Sequence, residues 1–152
     1  MKVRLDIGKA RYEEILRELT DLGIGIDDEA DLVLSEAGDY PAFLSGRTEE
    51  GTCHVAVTDV LFIESLGHDV FLHVLEDGSE VVYKSRVRLR DYERMLDPEK
   101  FLRVSNSAIV ARDKVRHIRS ALSRKFTLTL EGGSRVDVTR SYYDVFRSEF
   151  GI

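Results

Sequence analysis

Apolar and polar positions alternate at the start of the chain, with Val3, Leu5 and Ile7 set between Lys2, Arg4 and Asp6. That period of two predicts a strand with one buried face. The spacing then changes. Tyr12, Ile15, Leu16, Leu19 and Leu22 recur at helical intervals, and Gly23 stands where a left-handed helix terminator belongs. An acidic run of Asp27, Asp28, Glu29 and Asp31 leads into Leu32–Leu34, which predicts a second short strand. Gly38 to Gly51, holding Pro41 and Gly46, reads as an irregular connector. The pattern therefore predicts a small strand–helix–strand module over residues 1–50, followed by a second domain over residues 51–152.

From Val55 onward the pattern is rich in strands. Val55 to Ser65 is strongly apolar and predicts one strand, straight or bent. Leu66-Gly67-His68-Asp69 is turn-like and leads into Val70–Leu75, and Asp77-Gly78 signals a hairpin that returns through Val81–Tyr83. Leu89, Tyr92 and Leu96 fit one face of a short helix that Asp97-Pro98 ends. Apolar segments Phe101–Val104 and Ala108–Ala111 flank Ser105-Asn106-Ser107. Phe126, Leu128 and Leu130 alternate with threonines, and Gly132-Gly133 turns the chain into Val136 and Val138. Ser141 is placed to cap a last helix through Glu149, with Tyr142, Val145 and Phe146 on one side. Short strands, tight turns and two brief helices imply a mainly β domain of the α+β class.

Composition narrows the picture. A chain of 152 residues suits one domain or a domain with an appendage, and 43% hydrophobic with 33% charged residues is ordinary for a folded protein. The longest apolar runs, Val60–Ile63 and Ala108–Ala111, are far too short to span a bilayer, so no membrane insertion is expected. A lone Cys53 forbids an internal disulfide, and a reducing cytoplasm is the expected compartment. The net charge of −6 conceals a division. Residues 1–50 hold 6 basic and 13 acidic side chains, residues 51–83 hold 6 acidic and no basic ones, and residues 84–152 hold 16 basic and 9 acidic ones. A polyanion responds to the local field more than to the total, although an uneven solvated surface produces the same count.

Catalytic constellations are missing: no glycine-rich phosphate loop, no GxSxG and no HExxH occurs. His54, His68, His73 and His117 are scattered, and the acidic run lacks the ligand spacing of a calcium loop. Neither an enzyme, a metal site nor a cofactor is expected. Three polar residues interrupt the β-rich part at turns. Asn106 can read an adenine edge or form a plain Asx-turn. Arg140 can bind guanine, clamp a phosphate or sit in a surface salt bridge. His68 can contact a base or merely occupy its turn. They form a reading edge only if the fold gathers them.

Four blocks in order, over residues from about 55 to 152, resemble the LytTR family of bacterial DNA-binding domains. Asp59-Val60-Leu61-Phe62-Ile63-Glu64-Ser65 looks like its opening strand, and Leu89 to Leu96 resembles its short helix before a proline. Phe101-Leu102-Arg103-Val104-Ser105-Asn106-Ser107-Ala108-Ile109-Val110 looks like its most diagnostic stretch, and Thr139-Arg140-Ser141-Tyr142 resembles its closing strand-to-helix element. The resemblance implies an elongated, mostly β fold with short helices, in which turns along one edge enter successive major grooves of double-stranded DNA. Matched position by position, Asn106, Arg140 and, across a gap, His68 fall at DNA-contacting places. Two departures stand out: Ser105 replaces a common His, and Ala111 replaces a common Asn.

The resemblance also implies a transcription regulator, related to response regulators and reading a repeated site as a homodimer. Fifty residues are too few for a phosphorylatable receiver, so the N-terminal module is expected to serve dimerisation or signal input, with Tyr12, Ile15, Leu19 and Leu22 as its candidate face. Short stand-alone members often lie beside small membrane proteins in operons, which makes such a protein a candidate partner. Lys84, Arg86, Arg88, Arg112, Lys114, Arg124 and Lys125 become candidate phosphate contacts, which position the protein without specifying sequence. The alternative is a protein-binding β module with no specific DNA recognition.

Overall fold

The computed structural model describes residues 1–36 and 40–152; the start of the predicted connector at Gly38 lies outside them. The chain forms two compact units, Met1–Asp39 and Tyr40–Ile152.

In the first unit, strand β1 (Lys2–Asp6) leads through helix α1 (Lys9–Asp21) to the two-residue strand β2 (Gly25–Ile26) and on to β3 (Leu32–Ser35). The sheet order is β2-β1-β3, with both pairings parallel. Gly23 takes φ +78° and ends α1, and the Ile24 amide behind it donates to Leu19 O. Val3 is the one fully buried apolar residue of this unit among the described residues, and α1 fully buries none of its own.

The second unit is mostly strand, with few and short helices, and both of its sheets are open. Strands β4 (Phe43–Thr48), β5 (Gly51–Ala56), β6 (Val60–Leu66), β7 (Asp69–Glu76), β8 (Ser79–Ser85), β9 (Phe101–Ser105) and β10 (Ala108–Ala111) make an antiparallel sheet of order β5-β4-β8-β7-β6-β10-β9. Strands β11 (Val115–Ala121), β12 (Lys125–Leu130) and β13 (Arg135–Val138) form a second sheet. Helix α2 (Leu89–Met95) precedes β9, and α3 (Tyr143–Phe150) closes the chain.

The large sheet is covered on both faces. One core holds Ile63, Leu72, Val74, Ile109, Leu89, Tyr92 and Leu96, so α2 seals that side. The other holds Leu61, Phe62, Val104, Val110, Leu128, Val138 and Phe146, which joins the small sheet and α3 to the opposite face. Burial on both sides explains why Val60–Ile63 and Ala108–Ala111 read as unbroken apolar runs. A register shift between Val60 and Phe62 lets neighbouring Leu61 and Phe62 enter the same core.

Three local expectations are corrected. Residues 43–48, read as connector, are strand β4, paired with β5 from Phe43–Ala56 to Thr48–Gly51. Its signal is faint because only Leu44 and Gly46 face inward. A Cβ on Gly46 would stand 2.8 Å from Tyr83 Cβ, so glycine admits the neighbouring side chain. Ser141 caps no helix: it lies in a 3₁₀ turn, Arg140–Tyr142, and Tyr142 occupies the N-cap position of α3 without a side-chain capping bond. Val55 to Ser65 is not one strand: Val55 and Ala56 end β5, a second 3₁₀ turn spans Val57–Asp59, and Val60 to Ser65 belong to β6, four places away in the sheet.

Candidate nucleic-acid interface

Three turns are fastened together at one end of the strands. The β6–β7 turn is a two-residue hairpin in which Gly67 takes φ +63° and His68 is exposed. At its base the Ser65 amide donates to Ser107 O at 2.9 Å, which joins it to the β9–β10 turn. The Thr139 amide donates to Val104 O at 3.0 Å, which brings the β13–α3 junction against β9. The Tyr142 hydroxyl donates to Asn106 Oδ1 at 3.1 Å, linking junction and turn through side chains. His68, Asn106 and Arg140 are thus gathered on one exposed edge.

The β9–β10 turn is built with little slack. Ser105 is buried, and its hydroxyl accepts the Ser107 amide at 3.1 Å, a local turn that suits a short side chain. Arg103 donates from Nε to Ser105 O and from Nη2 to Asn106 O, both at 2.7 Å. Its Nη1 reaches Glu93 Oε2 at 2.8 Å, so α2 holds the guanidinium from behind. The sequence reading missed Arg103 and the Tyr142 hydroxyl. One signal was available for the first: Arg103 is the single charged residue in Phe101–Val104, two places before a polar triplet.

Cations surround this edge unevenly. Lys84 pairs across the strands with Phe71, and its ammonium lies 3.7 Å from Asp69 beside the His68 turn. Arg86 follows β8 at the same end. Arg124 and Lys125 sit at the β11–β12 hairpin, where Arg124 pairs with Asp144 and covers the Tyr143 ring at 4.9 Å. Arg112 and Lys114 are not brought to this edge. Strand β10 separates Arg112 from Asn106 by roughly 13 Å, at about 3.3 Å per residue. Arg112 donates to Pro98 O at 3.0 Å and to Glu149 at 2.9 and 3.0 Å, fastening the end of α3. Lys114 lies 3.7 Å from Glu131.

Other chemistry-bearing groups have structural partners. His73, buried on β7, is held by Glu64 Oε1 at 2.7 Å and stacks on Phe62 at 3.9 Å between centroids. Its Nδ1 lies 3.5 Å from Glu80, which accepts from Ser134, so the array ties β6, β7 and β8 to the β12–β13 turn. Cys53 is a free thiol that donates to Gly46 O. Among the described residues no cluster of metal-ligating side chains occurs, and no helix is long and apolar enough to cross a membrane.

Comparison with known proteins agrees with this fold. The family model of the LytTr DNA-binding domain matches residues 50–151. A solved LytTr DNA-binding domain, from a Bacillus cereus protein assigned as a methyl-accepting/DNA response regulator, superposes with a TM-score of 0.69 at 23% identity. The match covers 74% of this chain and 99% of that one and extends to the fold. None of the curated proteins compared matches the chain.

Proposed function

Because the chain belongs to the LytTR family of DNA-binding domains, we propose that it is a sequence-specific transcriptional regulator that reads double-stranded DNA through the turns of its second unit. The observation that carries this reading is the fastening of the His68, Asn106 and Arg140 turns to one another by the bonds from Ser65, Thr139 and Tyr142. Rigid turns projecting from a sheet edge suit the major groove, where each base pair shows a distinct pattern of donors and acceptors. Asn106 and Arg140 are the base-reading residues, with His68 beside them. Lys84 and Arg86 contact phosphates from the same end, while Arg112 and Lys114 contribute from farther along the domain, if their ion pairs open.

The N-terminal unit serves dimerisation or signal input, the latter from a partner such as a small membrane protein. Tyr12, Ile15 and Leu19 on α1 are only half-buried and Leu22 is 75% exposed, which leaves an apolar face for that purpose. A homodimer on a repeated site, working in the cytoplasm, fits this division of labour.

Selection of random duplexes by the purified protein at two salt concentrations tests the reading. The expected result is one enriched motif that survives moderate salt and is lost on Asn106→Ala or Arg140→Ala. Binding without any enriched motif, disappearing at moderate salt, overturns it and favours a protein-binding module.

A further inference from the structure

We propose that Arg47 and Lys84, facing one another on β4 and β8, form with the hydroxyls of Ser45 and Thr52 an anion pocket that takes one backbone phosphate of the duplex beyond the His68 turn. This inference rests on the DNA-reading function above and adds to it a contact residue, Arg47, and a direction in which the footprint extends.

Residues directly opposite on paired strands share a face, with Cβ atoms about 5 Å apart, so like charges there are destabilising. The fold nonetheless sets two cations in that relation, because Arg47 is the cross-strand partner of Lys84. On its other side Arg47 pairs with Thr52, and Ser45 stands two residues back on the same face of β4. Among the described residues Arg47 has no ion pair and no hydrogen bond, and the Ser45 and Thr52 hydroxyls have no partner. Lys84 has only the exposed Asp69 at 3.7 Å, a weak attachment. A cavity of about 180 Å³ opens here, lined by Ser45, Arg47, Thr52, Ser85, Arg86 and Val87. That is several times the ~30 Å³ share of one water molecule. One wall is fixed, since the Ser85 hydroxyl accepts from the Val87 amide at 3.2 Å and is bonded to the Tyr92 hydroxyl of α2. Arginine and lysine are donors only, and no carboxylate is among the lining residues, so the pocket is chemically matched to an anion.

Its place in the sheet identifies the anion. Ser85 pairs with Val70, Val70 pairs with Ser65, and the Ser65 amide donates to Ser107 O, so one row of residues joins the pocket to the reading turns. The sheet order puts β4 two strands beyond β7, on the side of the His68 hairpin away from β9 and β10. Two strand spacings are about 10 Å, within the ~12 Å width of a major groove. A duplex that takes the His68 turn into its major groove therefore lays a bounding strand over Arg47. The like-charge opposition is relieved by the phosphate that the two cations share.

The test compares full-length wild type with Arg47→Gln on the motif that wild type selects. In chloride buffer the variant should melt at the same temperature or higher, since an opposed charge is gone, which shows that the fold is intact. Its salt slope for DNA should be shallower by about 0.9, the share of one phosphate, while the selected motif stays the same. Duplexes with a single neutral methylphosphonate, moved along the backbone flanking the motif, locate the contact. Wild type should lose about fivefold in affinity at one position, as an exposed ion pair allows, and Arg47→Gln should be indifferent to that same substitution. An unaltered slope, or a variant that keeps every methylphosphonate sensitivity of wild type, overturns the inference while leaving the regulator reading in place. Inorganic phosphate at matched ionic strength separates the other source of the same chemistry. If it raises the melting temperature of wild type by about 2–4 °C more than that of Arg47→Gln while the salt slopes coincide, the pocket holds a free anion and the assignment to DNA fails. A wild type that enriches no motif removes the regulator reading and this inference with it.

Discussion

Replacing Arg103 tests how the reading turn is held. Its side chain is 15% exposed and makes three bonds, to Ser105 O, Asn106 O and Glu93. These are not equal. Ser105 is buried, so losing a charged donor to its carbonyl costs about 1–3 kcal/mol. Asn106 is exposed and water can replace the donor there, while the half-exposed Glu93 pair is worth about 0–1 kcal/mol. Arg103→Ala should therefore destabilise the protein by about 2–4 kcal/mol once the packing of the aliphatic stem is included. Arg103→Lys keeps the charge but not the planar fork, so it should satisfy one carbonyl and lie about midway. Urea denaturation followed by circular dichroism reads the loss as a lower midpoint at constant slope, a shift of about 1–2 M for a slope near 2 kcal/mol/M. Under conditions where both variants are folded, binding to the selected motif should fall more than binding to random duplex. A change under about 0.5 kcal/mol in Arg103→Ala, together with an unaltered motif preference, refutes the clamp.

Further outcomes follow from other parts of the fold. Gly46→Ala places a Cβ 2.8 Å from Tyr83 Cβ and should cost about 1–3 kcal/mol by overpacking, read as a lower melting temperature. Asn106→Ala and Arg140→Ala, both at exposed positions, should each weaken motif binding by about 1–3 kcal/mol in titrations while leaving melting unchanged. The Tyr83 phenol is pushed up to about 12 from 10.0, first by its hydrogen bond to Glu76, then by burial and by the Glu76 charge. The folded state holds that proton more tightly, so the contribution is complete below about pH 10 and is lost as pH rises towards 12. Relative to Tyr83→Phe, wild type should lose stability across that window in parallel denaturation series. Salt titration of motif binding should give a slope of about −4 or shallower per protomer, near one unit for each of a few phosphate contacts. A slope of about −8 would mean that the paired cations open and engage DNA.

Most elements of the second unit were legible because their patterns were strong. The Asp77-Gly78 hairpin demands left-handed backbone at both positions, and the structure has φ +51° and +79° there. Leu89, Tyr92 and Leu96 are buried on one side of α2, as their spacing implied. β4 was not legible, because one of its two inward positions is a glycine and the pattern of alternation never develops. The capping role given to Ser141 failed for a related reason: a serine before an apolar stretch looks the same whether it begins an α-helix or fills a 3₁₀ turn. The candidate base readers were nameable from turn chemistry and family resemblance, but their convergence was not. It depends on backbone bonds such as Ser65 to Ser107, which link residues 42 positions apart and leave no trace in local pattern.

Charge was the feature that linear reading rendered least well. The basic excess of residues 84–152 suggested a positive surface, yet residues 40–152 together hold 17 basic and 17 acidic side chains. The strands interleave the two groups: Lys84 meets Asp69, Arg124 meets Asp144, and Arg112 is engaged by Glu149. A unit without net charge cannot draw most of its DNA affinity from a diffuse field. Its affinity has to come from a few well-placed contacts, and those are effective only if the turns bearing them are fixed before DNA arrives. Two cores on opposite faces of β6 and β10 supply that rigidity, because neither strand can shift without disturbing packed side chains on both sides. The buried runs Val60–Ile63 and Ala108–Ala111 and the exposed polar turns beyond them are thus parts of one device: the first immobilises what the second presents.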